Sequence, residues 1–321
     1  MLTHKAPAIA PSTAAALSVV FTLIYVVPFY LSSATRPSPQ LSRDAPSSIR
    51  ARVRAVTLSS LISIVLTIYV LYYYGRAPPQ EILRLLGVWP ISLLDTAKTM
   101  LLVATLFAGP LFEAGVVDGG CKDWIRGRRM YEVLSSWMGY RNFVVGPISE
   151  EIIWRALIIP LHMLAHVSGK KIIFLTPLYF GIAHVHHLYE FHLTHPNTRL
   201  LHAVLISLFQ FTYTSLFGFF AAFVFLRTGN VLSPILAHTF CNWMGLPRFW
   251  GRVGVVEAGV PIGPPSGDKK DEDANGGIQS KGIMWTVAYY IILVAGAVGF
   301  YLQLFPLTES SHAMPVVLIE E

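Results

Sequence analysis

Glu150, Glu151 and Arg155 stand together in the stretch Gly146-Pro147-Ile148-Ser149-Glu150-Glu151-Ile152-Ile153-Trp154-Arg155-Ala156-Leu157, which is otherwise apolar enough to lie in lipid. A carboxylate or guanidinium near the centre of a membrane helix costs about 2.5–3.5 kcal/mol on insertion scales, so such groups face a partner or a wet cavity and mark a functional site. A spacing of four puts Glu151 and Arg155 on one helical face as an ion pair. Glu150 lies about 100° round the helix and has Trp154, not a cation, at i+4. One carboxylate is thus held and the other left available for chemistry. The plainer alternative is that all three form a buried ion-pair network with no further role. Pro147 and Ser149 predict a helix start here, with both glutamates in the favourable field of the N-terminal dipole.

Three more polar side chains interrupt apolar stretches further on. Phe180 precedes His184 by four residues, and His238 and Asn242 share one helical face at the same spacing. One carboxylate, two imidazoles and a carboxamide suit hydrolysis by water: a Glu/His pair takes a proton from water, and donors hold the oxyanion as a carbonyl becomes tetrahedral. Two histidines and a glutamate are also a common catalytic zinc set. Neither His-Glu-x-x-His nor His-x-x-Glu-His occurs, so zinc ligands would have to come from three separate helices. Cys241, beside Asn242, raises a thiol nucleophile; its favoured reading is a small packed hydrophobe. His162 and His202 read as satisfied core residues.

The elements that must carry these groups follow from composition. Hydrophobic residues make up 54% of the chain and charged residues only 13%, with a mean hydropathy of +0.55, whereas charged residues alone reach about a quarter of a soluble domain. The chain reads as an all-α, polytopic transmembrane bundle of about eight spans: 12–33, 55–74, 90–112, 147–167, a fifth ending near 187, 200–226, 231–246 and 283–304. It forms a single domain over 1–321, with a core over 147–246 and a mobile loop over 247–281. Asp95 and Lys98 are expected to pair on the third span. The connection 113–140 is expected to form a partly amphipathic interfacial helix, and the tail 308–321 to be weakly ordered.

The net charge of +6 is spread over loops, reading as orientation signal and attraction to a membrane surface and not as a nucleic-acid footprint. With an outside N-terminus, loops 34–54, 113–140, 188–199 and 247–281 carry 15 Lys and Arg, against 6 on the opposite side. The positive-inside rule puts the richer side in the cytosol. Glu150 then lies near the start of an inward span and His184, His238 and Asn242 late in outward ones, so all four share one depth near the cytosolic side.

In this order, Glu150-Glu151-x-x-x-Arg155, Phe180-x-x-x-His184 and His238-x-x-x-Asn242 resemble the type II CAAX prenyl endopeptidases, intramembrane glutamate proteases of the endoplasmic reticulum. The resemblance covers about 147–242. It implies an enzyme that removes the last three residues of proteins prenylated, by farnesyl or geranylgeranyl, on a cysteine four from the C-terminus, Ras-like GTPases among them. It further implies that Glu150 and His184 activate water, that His238 and Asn242 form the oxyanion hole, that Glu151, Arg155 and Phe180 support the site, and that no metal or other cofactor is used. A membrane carrier with Glu150 and His184 as a proton relay is the alternative of another class; the paired broken helices of an internal repeat that carriers show are not visible.

Overall fold

The computed structural model describes residues 6–38, 41–194, 198–254 and 282–316, and among these there is no strand. Five helical stretches are long and apolar enough to cross a membrane: Pro11–Leu31, Pro46–Tyr73, Gly169–Leu193, Leu200–Thr228 and Ile283–Gln303. Leu93–Leu106 and Ala108–Val117 make a sixth if taken together across a 79° bend. The protein is therefore an all-helical, multi-pass membrane protein.

The other two expected spans have a different character. Helix Leu232–Met244 has 13 residues, about 20 Å at 1.5 Å per residue, against a hydrocarbon core of about 30 Å. The stretch around Glu150 alternates α-helical and wider π-helical turns: Trp137–Tyr140, Arg141–Val145, Gly146–Glu151, Ile152–Leu157 and Ile158–Leu164. Every residue from Ile153 to Met163 is buried, so this stretch is the centre of the bundle and other helices shield it.

The expected helix start at Pro147 is not there. Val145 already has helical dihedrals, and the Ser149 hydroxyl caps nothing; it donates to the Gly146 carbonyl at 3.1 Å and meets the Tyr25 hydroxyl at 3.0 Å. Pro147 sits inside the helix, where it has no N–H for the carbonyls four and five residues back. Those two, Phe143 and Asn142, accept instead from the Thr239 hydroxyl and the Asn242 amide, both at 3.0 Å. A proline that breaks one helix is thus repaired by side chains of helix Leu232–Met244, which locks the two segments together.

Close helix approach also shapes the centre. A Cβ on Gly218 would stand 2.6 Å from Cβ of Pro177 and 3.3 Å from the Arg155 guanidinium. Glycine there lets helix Leu200–Thr228 press against helix Gly169–Ala183 with the arginine between them.

Charged and polar links collect at the two ends of the bundle. At one end Arg43 and Arg52 reach Glu190, Arg141 reaches Asp44 and Arg248 reaches Glu113. At the other, Asn230 bonds the Ser92 carbonyl and Arg227 the Phe305 carbonyl. Two expectations are corrected at this second end. Asp95 does not pair with Lys98; its carboxylate accepts from Ser310 at 2.6 Å and lies 3.6 Å from His312 Nδ1. The tail is accordingly docked as far as it is described, with Met314 buried and its N–H on the Leu226 carbonyl. Between the sixth stretch and Trp137, helices Cys121–Arg126 and Arg128–Ser135 bury no residue and mix Ile125, Met130 and Tyr131 with four basic residues, as an interfacial segment should. Of the loop 247–281, residues 255–281 lie outside the described residues.

Candidate active site

Glu151 anchors the site. Its side chain is fully buried, a position a carboxylate occupies only with charged or hydrogen-bonded partners. Arg155 donates to Oε1 at 3.0 Å across one helical turn, and His238 Nδ1 lies 2.8 Å from the same oxygen. A carboxylate accepts, so this imidazole nitrogen carries its proton. The other oxygen, Oε2, has no hydrogen-bond partner among the described residues. Arg155 is itself enclosed: it donates to the Gly218 carbonyl at 3.3 Å, and its guanidinium lies 4.9 Å from the Phe180 ring centre and 5.7 Å from that of Phe217. Cation–π contact replaces part of the hydration it has lost.

Glu150 is placed differently. Its side chain is 20% exposed and its Oε2 stands 3.7 Å from His238 Nε2, the ring nitrogen opposite the one on Glu151. His238 therefore bridges the two adjacent carboxylates, held by Glu151 and facing Glu150. Its ring is also packed by Phe217 at 4.7 Å and Phe180 at 6.2 Å between centroids.

His184 closes the other side of Phe180, 4.6 Å from its ring centre. It stands where the helical rise of Gly169–Ala183 ends, before His186–Thr194 resumes it. The Phe180 carbonyl lies 2.8 Å from His184 Nδ1. A carbonyl can only accept, so Nδ1 holds the proton and the neutral ring keeps its Nε2 lone pair for an incoming proton. Asn242 uses one amide hydrogen on the Asn142 carbonyl at 3.0 Å and has a second to give.

The structure thus brings Glu150, Glu151, Arg155, Phe180 and His238 into one contact network, with His184 packed on Phe180 and Asn242 one turn beyond His238. The sequence did not point to the His238–Glu151 bond, to Phe217, or to Tyr25, which packs 4.9 Å from the Trp154 ring and bonds Ser149. Tyr25 gave no signal of its own, being one hydroxyl among several in the first span. Cys241 packs with Val103, Phe107 and Ala237, as a small hydrophobe would. The zinc alternative finds its ligands elsewhere: among the described residues, the His/Glu group that brings three ligand atoms within 4.8 Å of one another is His186, His187 and Glu190. That carboxylate is already taken by two arginines.

The family model for Type II CAAX prenyl endopeptidase Rce1-like proteins matches residues 132–244, the part of the chain holding all seven residues singled out above. A Schizosaccharomyces pombe protein named "Probable CAAX prenyl protease 2" is 38% identical over 238 residues, covering 74% of this chain and 83% of its own. The CAAX prenyl protease 2 of Homo sapiens is 34% identical over 71% of this chain and 70% of its own. That of Arabidopsis thaliana is 32% identical over 94% and 91%. No solved structure matches. With a relative this similar along most of its length, the chain belongs to the Rce1-like type II CAAX prenyl endopeptidase family.

Proposed function

We propose that this protein is an endopeptidase that removes the C-terminal tripeptide from prenylated CaaX proteins, farnesylated or geranylgeranylated and Ras-like GTPases among them, by direct attack of water. The observation that carries this reading is the division of labour between adjacent carboxylates: Glu151 is fully buried on Arg155 and His238, while Glu150 is partly exposed beside His238 Nε2. A fixed carboxylate positions; an accessible one can take a proton.

In the proposed reaction Glu150 removes a proton from water, and His184 Nε2 is the second acceptor. The resulting hydroxide adds to the scissile carbonyl carbon. His238, flanked by two carboxylates, can carry both ring protons, and its Nε2–H and the second Asn242 amide hydrogen hold the oxyanion. One such donor is worth about 2.7–4 kcal/mol in comparable enzymes. The tetrahedral intermediate then collapses with rupture of the C–N bond, and the proton held by Glu150 passes to the leaving amine. No cofactor or metal enters this sequence.

Membrane placement follows from the substrate. A prenyl chain lies in the cytosolic leaflet, each buried methylene contributing about 0.8 kcal/mol to its retention, so the site should open toward that leaflet in the endoplasmic reticulum membrane. The excess of Lys and Arg in the loops at the site's end supports this orientation. Purified protein is expected to cleave a farnesylated fluorogenic peptide, to ignore its unprenylated counterpart, and to be unaffected by phenanthroline. Loss of activity to the chelator, restored by zinc, would favour a metalloprotease. Equal turnover of both peptides, or of neither, would sink the reading.

A further inference from the structure

Next to the site, a cavity of about 220 Å³ is lined by residues of the 37–43 loop, the His186–Thr194 helix and the start of Leu200–Thr228. Leu41, Leu188, Phe191 and Ile206 form apolar walls, while Arg43 and Glu190 supply charge and His187 a polar ring. The pocket adjoins the site through His187, whose ring centre is 5.7 Å from that of His184.

Arg52 binds Glu190 Oε1 at 2.7 Å, His187 Nδ1 lies 3.0 Å from Oε2, and Arg141 binds Asp44 at 2.8 Å. Arg43 is the loosely held member, 3.4 Å from Glu190 and 3.9 Å from Asp44, with nearly half its side chain exposed. Among the described residues of this group three guanidiniums stand against two carboxylates, and Arg43 is the most exposed and most loosely held of the three. From His184, contacts lead through His187 to Glu190 and from there to Arg43.

We infer that this cavity receives the leaving tripeptide of the substrate, with its C-terminal carboxylate on Arg43 and its aliphatic side chains against the apolar walls. The inference rests on the proteolytic reading above and adds what that reading leaves open, how the enzyme recognises a chain end. A CaaX tail supplies both features, two aliphatic residues and a terminal carboxylate. An arginine fork suits that carboxylate in geometry as well as charge.

The test compares two farnesylated peptides differing only in a C-terminal carboxylate or carboxamide, cleaved by wild type, Arg43→Gln and Arg43→Lys. Wild type should favour the acid by about tenfold in kcat/KM, the scale of one charge-assisted hydrogen bond. Arg43→Gln should lose that preference through a higher KM for the acid, with amide turnover within twofold of wild type, which also shows that the variant is folded. Arg43→Lys should recover part of the preference. A preference that survives in Arg43→Gln, equal cleavage of acid and amide by wild type, or an equal rise in KM for both peptides would overturn the inference while leaving the protease reading intact. Cleavage of neither peptide by wild type would overturn both.

Discussion

Among the described residues, two clusters hold a carboxylate against both an imidazole and a guanidinium, and they are built for opposite purposes. Around Glu151 there is one arginine and one histidine, and the three side chains are 0%, 1% and 8% exposed. Around Glu190 there are two arginines and one histidine, with Arg43 half exposed and His187 about a quarter exposed. In the first cluster each partner is the one described residue of its kind on the carboxylate, and all three are closed off from solvent. In the second, loss of one cation leaves another. Redundancy permits movement, and its absence fixes the orientation of His238.

The largest effect should come from a residue outside both clusters. Glu150→Gln is expected to reduce cleavage by at least about a hundredfold, the lower end for a lost general base, with no change in thermal unfolding, since Glu150 takes no part in the buried pair. Activity above a tenth of wild type would remove it from that role. Glu151→Gln should instead be read first in stability. It leaves the Arg155 guanidinium buried without its counter-charge, at a cost of about 3–5 kcal/mol, and frees His238 to turn. The double variant Glu151→Gln/Arg155→Met should regain part of that stability but no activity. A Glu151→Gln enzyme that unfolds at the wild-type temperature and retains full turnover would erase the distinction between the clusters.

How much of this was legible beforehand depended on whether the information was local. The Glu151–Arg155 pair was readable because i,i+4 spacing on a helix is fixed by geometry, and it survives even where the turns widen. The nearness of Glu150 and His238 agrees with the shared depth expected from span direction, since each interrupts an apolar segment. What failed was the reading of Pro147. Its missing N–H is equally compatible with a first turn and with a mid-helix break, and the choice was made by Thr239 and Asn242 nearly a hundred residues away. Asp95 is a similar case: Lys98 is its neighbour in sequence, yet Ser310 and His312 reach it from the far end of the chain. The spans 147–167 and 231–246 were recognised as segments, the second already by its length as a short one, but the distortion of the first goes with its burial, which hydropathy cannot distinguish from exposure to lipid.

The redundant cluster predicts a smaller response. Arg52→Gln removes the shortest bond to Glu190, but Arg43 and His187 still face that carboxylate. The loss should stay well below the about 3–5 kcal/mol expected at Glu151, with cleavage within twofold of wild type. A loss of stability matching that of Glu151→Gln would show that the Glu190 cluster is not redundant.

The smallest effect is expected at Cys241, the reactive side chain closest in sequence to the proposed oxyanion donors. Its thiol packs against Phe107, Val103 and Ala237, and its helix continues to Met244. Serine preserves the volume, and its hydroxyl can bond the carbonyl one turn back, which satisfies the added polarity at little cost. Cys241→Ser should therefore keep more than half of wild-type cleavage and unfold within a few degrees of it. The informative outcome is the dissociation of the two readouts. An inactive variant with unchanged unfolding would mean that the thiol acts on the substrate and that Glu150 and His184 serve to activate it, whereas parallel small losses in both would confine Cys241 to packing.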